Sequence, residues 1–326
     1  MPVLNGWHLI LGIAGGILGA AAGAFPAFML CGLSCIIGTV ILFITGDPSF
    51  NLTVTWGPLI GPHTAFAGGI AAAAYAAHKG QLDSGRNIVK PLFPLKSLSV
   101  YCIGAIFGFV GIVLVWIFSL VPAIKGISWI NPIALSITVN GMFTRLIIGK
   151  TGLLGCRKSN QSIWIPCPEE NSLPWHMRPI KLMGFSFVVA LPVAYLAVML
   201  PEISGLLFGL AAISLVLLVL GHKIPVVLHI ILSAQLVAAS TGNLWWGVVF
   251  GLGSAIVAER SACLFLDRGD THVDPAAMAI AVTHSLFVLF LYIGVFHLDY
   301  YVALPAVVLV LAGGYLILSG LKKSHD

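Results

Sequence analysis

Four polar residues fall well inside apolar stretches of this sequence: Asn140, His229, Gln235 and His284. Groups of that kind are costly in hydrocarbon, so a functional reading is their default. Each alone is equally well read as a packing residue bonded to a carbonyl of the next helix, worth about 0.6 kcal/mol on average. No carboxylate is expected deep in a span, which speaks against a carboxylate proton relay and for a small neutral or anionic solute. Arg145 lies near a predicted helix end, where its guanidinium can reach the interface.

Two Gly/Pro-broken stretches add backbone chemistry. Trp56-Gly57-Pro58-Leu59-Ile60-Gly61-Pro62-His63-Thr64 and Ser240-Thr241-Gly242-Asn243-Leu244-Trp245-Trp246-Gly247 each precede an Ala- and Gly-rich helix. Short interrupted segments in matching places are the best sequence pointer to a binding site between repeats. Freed N–H groups at a helix start, near His63 and Thr64, are suited to a polar or anionic group. The expected solute-binding set is therefore His63, Thr64, Asn140, His229, Gln235, Asn243 and His284.

A third constellation is Asp267, Asp270, His272 and Asp274. Oxygen and nitrogen donors at this spacing suit a divalent metal, but Asp274-Pro275 is also an ordinary helix start, with Asp as cap and Pro in the first turn. No metal and no cofactor are expected. The stretch Leu266-Asp267-Arg268-Gly269-Asp270-Thr271-His272-Val273-Asp274-Pro275 repeats the pattern of Leu82-Asp83-Ser84-Gly85-Arg86-Asn87-Ile88-Val89-Lys90-Pro91 at an offset of 184 residues. Phe66, Gly69, Ala71 and Ala74 meet Phe250, Gly253, Ala255 and Ala258 at the same offset, as a duplicated unit would. Arg86 and Lys90 stand where the second loop has Asp270 and Asp274. That charge swap suggests a gate at the loops, formed by Asp83, Arg86, Lys90, Asp267, Asp270 and Asp274.

Composition sets what must hold these groups. Of 326 residues, 59% are hydrophobic and only 8% charged, against about 25% charged in a soluble domain. In a bilayer every backbone group needs an internal partner, and the apolar runs lack the alternation of barrel strands. The fold expected is an all-α polytopic membrane protein. Net charge is +5, but the charges lie between apolar runs, so no nucleic-acid partner is implied. Cys156 and Cys167 share a polar loop and could pair only in an oxidising compartment. The first apolar run has no basic leader and reads as a retained helix.

Spans are predicted near 8–24, 26–45, 63–77, 97–121, 127–149, 180–200, 203–221, 224–240, 244–259, 276–296 and 302–321, with 49–61 too short and broken to span alone. This gives an N-terminal repeat (1–149), a cytoplasmic linker (150–179) and a C-terminal repeat (180–326). Each repeat has about five to six helices, and a pseudo-two-fold axis relates them. Lys and Arg collect in 78–96, in the linker and in the tail, which puts all three on the cytoplasmic side. With the two Asp-x-Gly loops as equivalents and 224–240 spanning fully, the repeats come out parallel; with 224–240 only re-entrant, Lys322 and Lys323 lie outside and the repeats are inverted.

The length, the duplication and Asn243-x-Trp245-Trp246-Gly247 loosely resemble urea-channel proteins. That resemblance covers about thirty residues, and the Asn-Pro-x-Thr-Gly motif associated with those channels is absent, so no residue is carried over. With no Gly-x-Ser-x-Gly, His-Glu-x-x-His or phosphate loop, an enzyme is not expected. The leading expectation is a transporter for a small polar solute, bound between the repeats, in a bacterial cytoplasmic membrane with the C-terminus cytoplasmic. A passive channel of the same architecture is the alternative, and an intramembrane enzyme or a non-transporting subunit the second. Expected partners are the solute, the bilayer and, as an open option, further copies of the chain.

Overall fold

The computed structural model describes residues 4–155, 177–297 and 300–323. Twelve helices carry these residues: α1 (Gly6–Ala22), α2 (Ala24–Thr45), α3 (Ala65–His78), α4 (Leu98–Phe118), α5 (Pro132–Ile147), α6 (Pro179–Met199), α7 (Ser204–Ser214), α8 (Val216–Val219), α9 (Leu228–Thr241), α10 (Leu244–Ser261), α11 (Pro275–Tyr292) and α12 (Tyr300–Lys323). Among the described residues, six segments are long and apolar enough to cross a membrane: Ala24–Thr45, Leu98–Phe118, Pro179–Met199, Pro201–Val219, Leu244–Leu266 and Pro275–Tyr292. Cys156 and Cys167 lie outside the described residues.

Small residues set the packing. Lipid gives helices no hydrophobic reason to associate, so close backbone approach must hold them. Gly16, Gly68 and Gly104 bring α1, α3 and α4 together, and a Cβ on Gly16 would collide with the Gly104 carbonyl. Ala190, Ala234, Gly247 and Gly251 do the same for α6, α9 and α10. Between these two triads, α2 runs antiparallel to α7. Thr39 lies by Gly205 and Gly32 by Ala212, and Phe28 meets Phe208 edge-on at 5.8 Å. α12 lies outside the second triad, against α6 and α10.

Two elements depart from the predicted spans. A hairpin of β1 (Ala123–Ile124) and β2 (Ile127–Ser128) runs into the stretch assigned to 127–149, which becomes helical only at Pro132. Asn131 is the reason for that boundary: its Oδ1 accepts from Ala134 N at 2.9 Å, with Pro132 in the first turn. The 203–221 span divides into α7 and α8 at Leu215. The broken stretch at 49–61 contains one π-helical turn, Asn51–Thr55, packed along α2 with Ser34 bonded to Thr55. It leads through Pro58 and Pro62 into α3.

Candidate functional site

A cavity of about 500 Å³ lies between the two triads. The starts of four helices reach its wall: Pro62 and Phe66 of α3, Asn131 and Pro132 of α5, Val226 and Leu228 of α9, and Asp274, Ala276 and Ala277 of α11. α5 and α11 cross antiparallel, each with its start beside the middle of the other. His284 Nε2 bonds the Ser128 carbonyl at 2.9 Å, while Gly141 lies against His272 and Val273. Both N-caps are formed in one way, because Asp274 Oδ1 accepts from Ala277 N at 2.6 Å just as Asn131 accepts from Ala134.

The rest of the wall is mostly apolar and aromatic. Phe25, Phe28, Trp56, Phe66 and Phe208 contribute rings in a connected cluster. Phe28 meets Phe66 at 5.2 Å, and Trp56 meets Phe208 at 4.9 Å. A second cavity of about 260 Å³ shares Asn131, Leu232, Ile280 and His284 with the first and is more polar, with Ser204, Ser233, Gln235, Ser240 and Thr283.

The predicted binding residues separate into two groups. His284 lines both cavities and Gln235 lines the smaller one, where its Oε1 has no partner among the described residues. The others sit in packed interfaces. Asn140 donates to the Phe107 carbonyl at 2.9 Å, Thr64 to the Gly61 carbonyl at 2.9 Å, and Asn243 caps α10 by accepting from Trp245 N at 2.9 Å. His63 is buried beside Gly111 with both ring nitrogens unpartnered among the described residues. His229 is buried in α9, within electrostatic reach of Asp274.

The two Asp-x-Gly loops do touch. Gly85 and Thr271 form a parallel bridge, and Arg86 donates to the Asp267 carbonyl at 3.0 Å. The ion pairing differs from the expected gate. Lys90 closes on Asp83 of its own loop at 3.3 Å, and Asp270 accepts from Lys150 N at 2.6 Å and Thr151 Oγ1 at 2.8 Å. Asp274 is only 7% exposed and faces the central cavity. The four residues weighed as a metal set do not converge, for Asp270 turns to Lys150 and Thr151 while His272 meets Asp274 at 3.2 Å.

Three sequence readings are corrected here. Arg145 does not reach an interface; it is fully buried, and its fork donates to Thr271 Oγ1 at 3.1 Å and to the carbonyls of Leu153, Phe265 and Thr271. A guanidinium with five donors can satisfy several carbonyls of an irregular turn at once, here the one that follows α10. Carboxylates do lie inside the bundle, since Glu259 of α10 and Asp274 are both buried. Asn131 and the rings of Phe25, Phe28, Phe66 and Phe208 were missed as site residues, and Asp274, expected at a gate between the loops, lines the cavity instead. The Asn-Pro and Asp-Pro pairs are legible as helix starts, but nothing local says that both face one cavity.

Helices of this length and apolarity, packed through small residues around an internal cavity, define a polytopic α-helical membrane protein. The chain belongs to DUF7973, a family of unknown function, whose model matches residues 2–163 and 164–305. No curated protein and no solved structure matches the chain.

Proposed function

We propose that the chain is a membrane transporter for a small solute, built from two inverted five-helix repeats with the binding site in the central cavity. The observation that carries the reading is the convergence of four helix starts, two from each half, on one cavity. Discontinuous helices meeting at a repeat interface are the usual substrate site of such carriers.

The repeat relation rests on matching partners: α1, α2, α3, α4 and α5 correspond to α6, α7, α9, α10 and α11. The α1–α3–α4 triad then answers to α6–α9–α10, and α2–α7 and α5–α11 are the pairs that meet across the axis. The sequence agrees at an offset of 143 residues. Gly104-x-x-Phe107-Gly108 meets Gly247-x-x-Phe250-Gly251, and Asn131-Pro132-x-Ala134-x-x-Ile137-x-Val139 meets Asp274-Pro275-x-Ala277-x-x-Ile280-x-Val282. This register replaces the offset of 184, which paired α3 with α10 and made the repeats parallel. Five crossings per repeat invert the second copy and leave α12 outside both.

Charge supports one orientation. Lys79, Arg86, Lys90, Lys96, Lys150, Lys181 and Lys223 fall at one end of the bundle, while the hairpin at the other end carries Lys125. The positive-inside rule makes the first end cytoplasmic, and α12 then ends there too.

Flux into proteoliposomes separates this reading from a passive channel. The expected result with a panel of small organic solutes is saturable uptake that is accelerated by the same solute inside. Non-saturable uptake without trans-acceleration would favour the channel, and no flux for any class would remove transport.

A further inference from the structure

We propose that the carrier is coupled to protons through a buried row of titratable side chains that leads from the central cavity to the cytoplasmic end; this rests on the transporter reading above. The row starts at Asp274, which faces the cavity, and at His272, whose Nε2 lies 3.2 Å from Asp274 Oδ2. His229 of α9 comes next, within electrostatic reach of Asp274. His229 and Glu259 of α10 then line one void of about 20 Å³, which has room for a single water molecule. Met177 and Pro225 lie in the wall of that void, close in sequence to Lys181 and Lys223 at the cytoplasmic end. None of the four side chains belongs to a residue more than 7% exposed.

Each end of the row can pass a proton on without loss of structure. Asp274 Oδ1 accepts from the Ala277 N–H, so the cap on α11 survives when Oδ2 gains or gives up a proton. His272 meets Asp274 through Nε2, and its Nδ1 has no partner among the described residues. An imidazole with one nitrogen engaged and the other open can accept on one side and release on the other. The pair can hold one exchangeable proton whichever member carries it. The groups that bear on it are few. α3 brings the ring of Phe66 to His272, α11 adds His284 on the same cavity wall, and Arg145 of α5 bonds Thr271 beside the pair. No Lys or Arg lines the cavity among the described residues.

In one cycle a proton enters through the cavity, rests on the His272–Asp274 pair, passes to His229 and leaves by way of the water and Glu259. The pair then returns to its starting state, and one proton has crossed. Asp274 lies on the wall that a solute would cover, so a bound solute shifts the pair's hold on its proton. By linkage the proton shifts the solute's affinity by the same factor. Rows of Asp, Glu and His inside a bundle are a recurrent proton path in membrane carriers. The sequence spoke against one only through the lack of a deep carboxylate, and Asp274 and Glu259 supply one at each end.

The test applies the proton alone, then a solute. Proteoliposomes of the full-length protein on a solid-supported membrane are stepped from about pH 8 to about pH 5, the range in which an imidazole titrates. The expected result is a transient charge displacement that protein-free liposomes lack. Asp274→Asn keeps an N-cap acceptor and should cut the displaced charge at least ten-fold, while Asp274→Glu should restore part of it. Glu259→Gln should slow the displacement at least ten-fold. All variants are compared as proteins that elute as single folded species. A transient unaltered by Asp274→Asn or by Glu259→Gln overturns the relay. In the flux assay above, any solute of the panel that is exchanged should accumulate under one sign of pH gradient and be expelled under the other. A protonophore should cancel both. Exchange blind to the gradient overturns the coupling and leaves the transporter reading in place. No flux for any solute, from a protein that still shows the Asp274-dependent transient, removes the transporter reading and the coupling with it, and leaves only a proton site.

Discussion

Arg145 shows how much one side chain can organise. It leaves α5 and holds the irregular turn between α10 and α11 through Thr271 Oγ1 and the carbonyls of Phe265 and Thr271, and bonds the loop after its own helix at the Leu153 carbonyl. The turn that it holds places Asp274 on the cavity. Gly269 lies against the guanidinium, where any Cβ would collide with it. Arg145→Ala strands these carbonyls in a dry interior, at about 1–3 kcal/mol for each unsatisfied group. The expected outcome is a loss of about 3 kcal/mol or more, read as a lower unfolding temperature in detergent. Arg145→Lys should recover only part, since an ammonium lacks the planar fork. A melting temperature unchanged by Arg145→Ala would show that the turn holds itself. From sequence alone Arg145 looks like an interfacial residue, because its acceptors on Phe265 and Thr271 are more than a hundred positions away.

At the scale of the element, the legible features were those with a local cause. The Ala/Gly run of α3, the cap before Pro275 and the long apolar spans can all be read from residues within one or two turns. The hairpin before α5 was not, since its two-residue strands lack a periodic pattern. A register between halves is hard to read locally, because Asp-x-Gly loops end helices wherever they occur and say nothing of which helices are packing partners. Close approach gives a direct check. Gly16→Ala drives a Cβ into the Gly104 carbonyl, and overpacking of this kind costs about 1–3 kcal/mol. Gly184 lies in α6 with nothing near its Cβ position, so Gly184→Ala should be neutral or stabilising by about 0.5–1 kcal/mol. Thermal unfolding of the two variants side by side should order them that way; equal melting temperatures would mean that the glycine seam does not hold α1 against α4.

For the whole molecule, the transporter reading requires that the central cavity reach each side of the membrane in turn. Ile280 is well placed to report this, because it lines both the central cavity and the smaller polar one. The deciding measurement is labelling of Ile280→Cys, in a background with the native cysteines replaced, by a membrane-impermeant thiol reagent applied from one face at a time. The account predicts labelling from either face, with a ligand of the cavity slowing both rates together. Labelling from neither face, or from one face only whatever ligand is present, would contradict alternating access to a site between the two halves.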